Sequence, residues 1–502
     1  MKKLAPILAA LILSVLILWV LFATGMLKMV NEQGKKKIDF SGMKKAVTTE
    51  SFTYAQRMKK GDDYVKNGMI SLAFNEYIAA NQIEPENPEP YLKIGKLLFE
   101  KQDYPRAQEI FQQLLSRDAD NLEANIYLVR SFMMQRKPEK AREVLNTVAG
   151  ESQSKHYYNG ILQTYFGEYD NAKKSLNAGI SLNTDPALTE KAKKILSAFE
   201  EYNTNQGSQE IFLKTLIAKN FNQVGEYAMS IPLLFNVVKE KKDYRDAWIL
   251  LGYAYLNMSD TKNAIDALEE AKKLDGNKPE TLFFLGLAYH SNNQKELAAQ
   301  LIEQAVQKGF EPKIQAQQKL AEIYLELKEY EKSAKKYESV LAINDTSIDY
   351  YVRPMWIYID ELNQPGQALN LAQKALVKYP DNAMAHNLMG WAYFAAEDYQ
   401  KSRDALTKSL ELDPSLSAAY LNLGKLYERL VQLDTAKEYY RTAVKLGQGT
   451  SVGETATELY NRITALSTTI PAPNATGQAN IFNVTPRTQV PTFTLPPLTT
   501  TP

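Results

Sequence analysis

The chain contains three histidines, His156, His290 and His386, and no cysteine. Imidazole is the side chain best suited to moving protons near neutral pH and to binding metals, so these positions set the first chemical question. They stand well apart, and none belongs to the His-Glu-x-x-His arrangement that holds zinc on a helix. Each is read as a surface or groove residue. The missing cysteines exclude disulfides, thiolate zinc sites and cysteine nucleophiles together. Gly95-Lys96 and Gly424-Lys425 lack the upstream glycine and the hydroxyl residue that a phosphate-binding loop requires. No Gly-x-Ser-x-Gly nucleophile turn and no EF-hand loop occurs. Carboxylates are plentiful, but they fall where solvated helix faces are expected. The sequence predicts no enzyme, no cofactor and no metal.

What recurs instead is a set of large and small residues that position helices. Residues 247–275 read AWILLGYAYLNMSDTKNAIDALEEAKKLD. A shift of 34 carries Trp248, Leu251, Gly252 and Tyr255 onto Leu282, Leu285, Gly286 and Tyr289. Ala264, Leu268 and Ala271 fall on Ala298, Ile302 and Ala305. The same frame holds His386, Met389, Gly390 and Tyr393, then Tyr420, Leu423, Gly424 and Tyr427. Near the N-terminus it holds Gly61, Tyr64, Ala73, Tyr77, Ala80 and Pro85.

This pattern resembles the tetratricopeptide repeat, Trp-x-x-Leu-Gly-x-x-Tyr followed by Ala-x-x-x-Phe and Pro with a period of 34. Residues 248–255 match its first part throughout. The resemblance implies an all-α fold, a right-handed α-solenoid of helical hairpins. About eleven repeats follow from the period: 54–87, 88–121, 122–155, a shortened 156–186, 211–244, 245–278, 279–312, 314–347, 349–382, 383–416 and 417–450. In each, a small residue on helix A (Gly252) and another on helix B (Ala264) let two backbones approach, and Leu251, Tyr255 and Leu268 fill the surrounding space. Proline at 85, 380 or 414 ends helix B because it cannot continue a helix. One hairpin cannot bury its apolar face alone, so neighbours stack into a continuous core.

The frame breaks after 186. ALTEKAKKILSAFEEY reads as an amphipathic capping helix and NTNQGSQE as a loop, and residues 452–467 read as a second cap. The expected organisation is an anchor at 1–30, a basic linker at 31–53, a first array at 54–203, a hinge at 204–210, a second array at 211–467 and a tail at 468–502.

Residues 4–27 carry no charge, which is long enough to cross a ~30 Å hydrocarbon core. LFATGML offers no small-x-small cleavage site, so a retained transmembrane helix is expected rather than a signal peptide. Six lysines between 28 and 45 favour a cytoplasmic body by charge count, whereas the MKK start followed by an apolar run favours export. The expectation is a single-pass cell-membrane protein with an extracytoplasmic body. The tail is rich in threonine and proline with Arg487 as its only charge, which predicts disorder.

With a formal net charge of +1, the chain has no electrostatic footprint for nucleic acid. In the resembled family helix A lines the concave face. Carried across, that frame places Tyr253, Phe283, Leu287, Trp391 and Phe394 on the concave wall of the second array, an aromatic surface suited to a peptide or protein partner. No repeat has both or either of the lysine at the fifth position and the asparagine at the ninth that would clamp a chaperone tail. The expected function is a membrane-tethered scaffold for protein–protein interaction. The alternatives are a self-assembling scaffold and a cell-envelope, secretion or pilus assembly factor.

Overall fold

The computed structural model describes residues 28–32, 35–39, 52–204 and 209–466. Apart from one short hairpin, the described residues are helical. Eleven antiparallel helix pairs run from Tyr54–Lys66 with Ile70–Ile83 to Ser417–Arg429 with Leu433–Leu446, and two further helices, Pro186–Thr204 and Ser451–Leu466, stand outside the pairs. The all-helical hairpin architecture read from the period is the architecture found. Residues 4–27 and 468–502, where an anchor and a disordered tail were expected, lie outside the described residues. Among the described residues no helix is long and apolar enough to cross a membrane.

Local chemistry starts several of the helices. Asn87, Asp103, Asn121, Ser152, Asn382 and Asp398 accept hydrogen bonds from backbone amides of the first helical turn, satisfying donors that the helix itself leaves unpaired. Thr53 and Gln56 form a reciprocal capping box. Each helix A then ends on one residue in the left-handed region, with φ between 50° and 85° at Gly68, Gln102, Arg136, Gly167, Gly225, Ser259, Asn293, Lys328, Asn363, Glu397 and Val431. The next residue's amide reaches back to helix A, as Met69 N to Tyr64 O at 2.8 Å and Glu226 N to Phe221 O at 2.8 Å. This is a six-to-one helix stop.

Packing within seven of the eleven pairs follows a single rule. A Cβ added to Gly95, Gly160, Gly286, Gly390 or Gly424 would sit 2.5 Å from the side chain sixteen residues later: Phe111, Leu176, Ile302, Leu406 or Tyr440. Gly61 and Gly252 face Tyr77 and Leu268 in the same way. The repeat beginning at 349 inverts the rule. It carries Trp356 at the small position and Ala372 sixteen residues on, both buried in one cluster with Tyr351, Met355 and Leu371. Its helix A is irregular: Pro354 lies inside Asp349–Trp356, and Ile357–Glu361 continues as a π turn. Proline supplies no amide to the ladder, which leaves this segment free to change pitch.

Within the stretch expected to end an anchor and begin a linker, Lys28–Glu32 and Lys35–Asp39 pair as antiparallel strands, with Lys28 opposite Asp39 and Glu32 opposite Lys35. Only two residues separate the strands, the length of a tight hairpin connection. The hinge expected at 204–210 lies partly outside the described residues. The helices on either side of it, Pro186–Thr204 and Glu210–Val224, pack together: Asn220 Nδ2 donates to Lys194 O at 2.7 Å, and Lys219 lies 3.9 Å from Glu201. The compact units part between Leu250 and Leu251, within Arg245–Asn257. An apolar helix pair and its neighbour share one core, so a break in the sequence frame need not be a break in packing.

Candidate functional site

The second unit contains a cleft built from three successive A helices and the final cap. Val352 comes from Asp349–Trp356, Asn387, Leu388 and Trp391 from Ala383–Ala395, Leu421, Asn422 and Lys425 from Ser417–Arg429, and Val452 from Ser451–Leu466. Its cavity of about 80 Å³ takes the end of a side chain, not a drug-sized ligand, which needs ~300 Å³ or more. Val352, Leu388, Trp391, Leu421 and Val452 make the floor apolar, and the polar groups are few and specific.

Two amides meet at the centre. Asn422 Nδ2 donates to Asn387 Oδ1 at 3.0 Å, while Asn387 Nδ2 reaches only the Met384 thioether at 3.4 Å. Sulfur is a weak acceptor, so that amide retains donor capacity. Both residues are buried.

Charge is arranged around the same cleft. Lys425 is half-buried and forms no ion pair among the described residues. Its nearest acidic neighbour on the same helix, Glu428, is committed to Arg462 at 2.5 Å and to the Tyr440 hydroxyl at 2.6 Å. Desolvation pushes the Lys425 ammonium below its ordinary range, against the attraction of Asp360 and Glu428. Asp360, on the π turn, has a buried Oδ2 without a hydrogen-bond partner. Burial raises its carboxyl to about 6, and Lys425 only partly offsets that shift. A lysine and a carboxylate therefore stand close enough to feel each other without pairing. Such an arrangement accommodates a polar ligand group between two charges.

The expected aromatic wall is corrected here. Tyr253 and Phe283 are each 1% exposed and belong to the packing. Phe283 stacks on Phe310 with ring centroids 4.1 Å apart, and Tyr253 meets Phe284 at 5.1 Å. Phe310 occupies the place in its repeat that Pro85, Pro380 and Pro414 hold in theirs, and folds back as a lid on Phe283. Leu287 is buried as well. Phe394 is half-buried, 6.2 Å from Tyr399 and packed against the cluster of Leu406, Leu423 and Leu426. Of the five, Trp391 lines the cleft, with only 5% of its surface exposed. The residues that give the cleft its polar chemistry, Asn387, Asn422 and Lys425, are not among those five. Asn387 and Lys425 do occupy the fifth and ninth positions of their repeats, where the groove was expected. Among the described residues no group of three or more acidic or histidine side chains could hold a metal ion.

Paired helices at a 34-residue period with an inner cleft define a helical-repeat protein. Residues 98–163, 246–278, 279–307, 360–417 and 388–450 match family models described as tetratricopeptide repeat, so these segments carry tetratricopeptide repeats. It is similar to protein bimA of Emericella nidulans, at 31% identity over 17% of this chain and 11% of that one. It is also similar to the peroxisomal targeting signal receptor of Saccharomyces cerevisiae, at 24% identity over 49% of this chain and 35% of the receptor. A TPR repeat-containing protein of Methanocaldococcus jannaschii is 20% identical over 78% of this chain and 76% of its own length. The matches thus span about a tenth and a third of the first two relatives.

Proposed function

We propose that the chain is a protein-interaction scaffold whose second unit holds an extended peptide across the cleft formed by repeats 349–382, 383–416 and 417–450. The observation that carries this reading is Lys425, without an ion pair among the described residues, lining an apolar floor beside a donor-rich amide. Unpaired charge held against protein is unfavourable until a ligand supplies its complement. Trp391 and Leu388 take an aliphatic side chain, Asn387 takes a main-chain carbonyl, and Lys425 takes an acidic group. The likeness to a targeting-signal receptor agrees with a peptide ligand. A peptide library displayed on phage and selected on the whole chain supplies the probe. The best peptide should lose about 2 kcal/mol or more of binding to Trp391→Ala and to Lys425→Met. Equal affinity for both variants and the parent chain would refute the cleft as the binding site.

The scaffold is further proposed to be tethered to the cell membrane through residues 4–27, with its helical body outside the cytoplasm. The support is the uncharged run itself. The chain has no native cysteine, so a single Thr488→Cys reports on the side. Intact cells, with any outer membrane permeabilised, should label with a membrane-impermeant maleimide. Labelling only after lysis of the cytoplasmic membrane would place the body inside.

A further inference from the structure

In a helical-repeat protein each hairpin normally touches only its sequence neighbours. The first unit departs from this where Tyr227–Glu240 meets Leu122–Met134. The turn between Glu210–Val224 and Tyr227–Glu240 delivers Glu226 to helices Leu122–Met134 and Gln153–Tyr165, far upstream in the chain. The Tyr157 hydroxyl donates to Glu226 Oε1 at 3.3 Å. Lys191 and Arg130 both attract the same carboxylate electrostatically.

The receiving site is well built. Arg130 is the ninth residue of its repeat, where the groove-lining face of helix A is expected. Its guanidinium sits 4.6 Å from the Phe99 ring and 4.8 Å from the Tyr127 ring, which hold it in place. Tyr157 and Tyr158 are buried and pack edge to face at 5.1 Å. Glu226 itself fits loosely. It forms no ion pair with Arg130 or Lys191 and receives one long hydrogen bond, although a guanidinium offers five donors. It also leaves its own helix uncapped, whereas Asp103 and Asp398, at the equivalent turn positions, cap theirs. Burial raises its carboxyl above the ordinary range despite Lys191, Arg130 and Tyr157. Half-buried charge of this kind is a poor way to gain stability, since apolar packing would serve as well or better.

We propose that Arg130, Tyr157 and Lys191 form a carboxylate-binding site for an acidic peptide, which the chain keeps closed with its own Glu226. The site is separate from the second-unit cleft and stands or falls independently of it. A competing acidic side chain must displace the internal one, so its apparent affinity falls by the fraction of time the site is open. The probe is a fluorescein-labelled tetraglutamate peptide, titrated by anisotropy into the full chain in detergent. Glu226→Ala should bind it about tenfold or more tightly than the parent chain, the scale of one charge-assisted contact. Adding Arg130→Met to Glu226→Ala should return binding to the parent level. Equal binding by the parent chain and Glu226→Ala, with unchanged helicity, overturns the proposal. So does a Glu226→Ala gain that survives Arg130→Met. Should Glu226→Ala fail to fold, hydrogen exchange on the parent chain decides. Saturating tetraglutamate should deprotect amides 226–229, and unchanged protection there also overturns it.

Discussion

Gly390→Leu is expected to destabilise the second unit by about 3 kcal/mol, near the upper end for an overfilled core. The first added carbon already lies 2.5 Å from Leu406 Cγ and 3.2 Å from the Leu406 backbone nitrogen. Leu406 is fully buried and cannot swing out, and its backbone is fixed within Tyr399–Leu412. The helices must therefore separate, which also opens the contacts to the repeats on both sides. Urea unfolding followed by tryptophan fluorescence measures the change, since Trp356 and Trp391 both report on this unit. A shift below ~0.5 kcal/mol, the size of an ordinary surface substitution, would show that the sixteen-residue contact is not tight. The repeat beginning at 349 indicates the remedy. There the large residue stands on helix A and the small one on helix B, so Leu406→Gly should recover a substantial part of the loss in the double variant.

Trp356→Ala carries the other large effect, about 3–5 kcal/mol for truncating a buried tryptophan. Trp356 is 6% exposed and shares its cluster with Tyr351, Met355, Leu371 and Ala372. Ala372, sixteen residues on, is too small to fill the void. The damage should reach the cleft as well, because Val352 and Asp360 flank Trp356 on the same irregular segment. Urea unfolding again gives the loss of stability, and the peptide selected for the cleft should bind more weakly. A variant that loses less than ~1 kcal/mol would mean that the cluster collapses around the gap, the route by which some core sites lower the cost of truncation. Trp356→Gly combined with Ala372→Leu should restore more stability than either change alone, because it converts this repeat to the arrangement of its neighbours.

These two residues also show what the sequence made legible. A glycine at a fixed distance before an aromatic or leucine is a pairwise steric requirement, and it repeats, so Gly252, Gly286, Gly390 and Gly424 announced the hairpins. Trp356 obeys the same requirement with its terms exchanged and is invisible to a pattern that looks for the glycine. The helix stops were hidden for a related reason. Left-handed backbone normally advertises itself as glycine or asparagine, yet here Gln102, Lys328, Glu397 and even the β-branched Val431 adopt it, because the flanking helices dictate the turn. The aromatic wall was misjudged because the frame places a residue on its own helix and says nothing of what arrives from elsewhere. Phe310 covers Phe283 from 27 residues further along. Lys425 and Asn387 stood at groove positions from the start, but lysine and asparagine on a helix are ordinarily just solvated. Only the absence of a counter-charge and the π turn that carries Asp360 set them apart.

The tie between Glu226 and the Leu122–Met134 helix carries a consequence for how the protein is made. A chain of hairpins that touch only their neighbours can fold as it emerges from the ribosome, each hairpin docking on the last within moments of its synthesis. Arg130 must wait for a partner 96 positions downstream, and at roughly 5–20 residues per second that wait is about 5–20 s. Over that interval the guanidinium and Tyr157 are offered to the surrounding solution with no internal carboxylate to cover them. Closing so long a loop adds an entropic step that neighbour docking does not have. The first unit should therefore mature later than its individual hairpins, with the growing chain passing through an open form that the finished protein keeps shut.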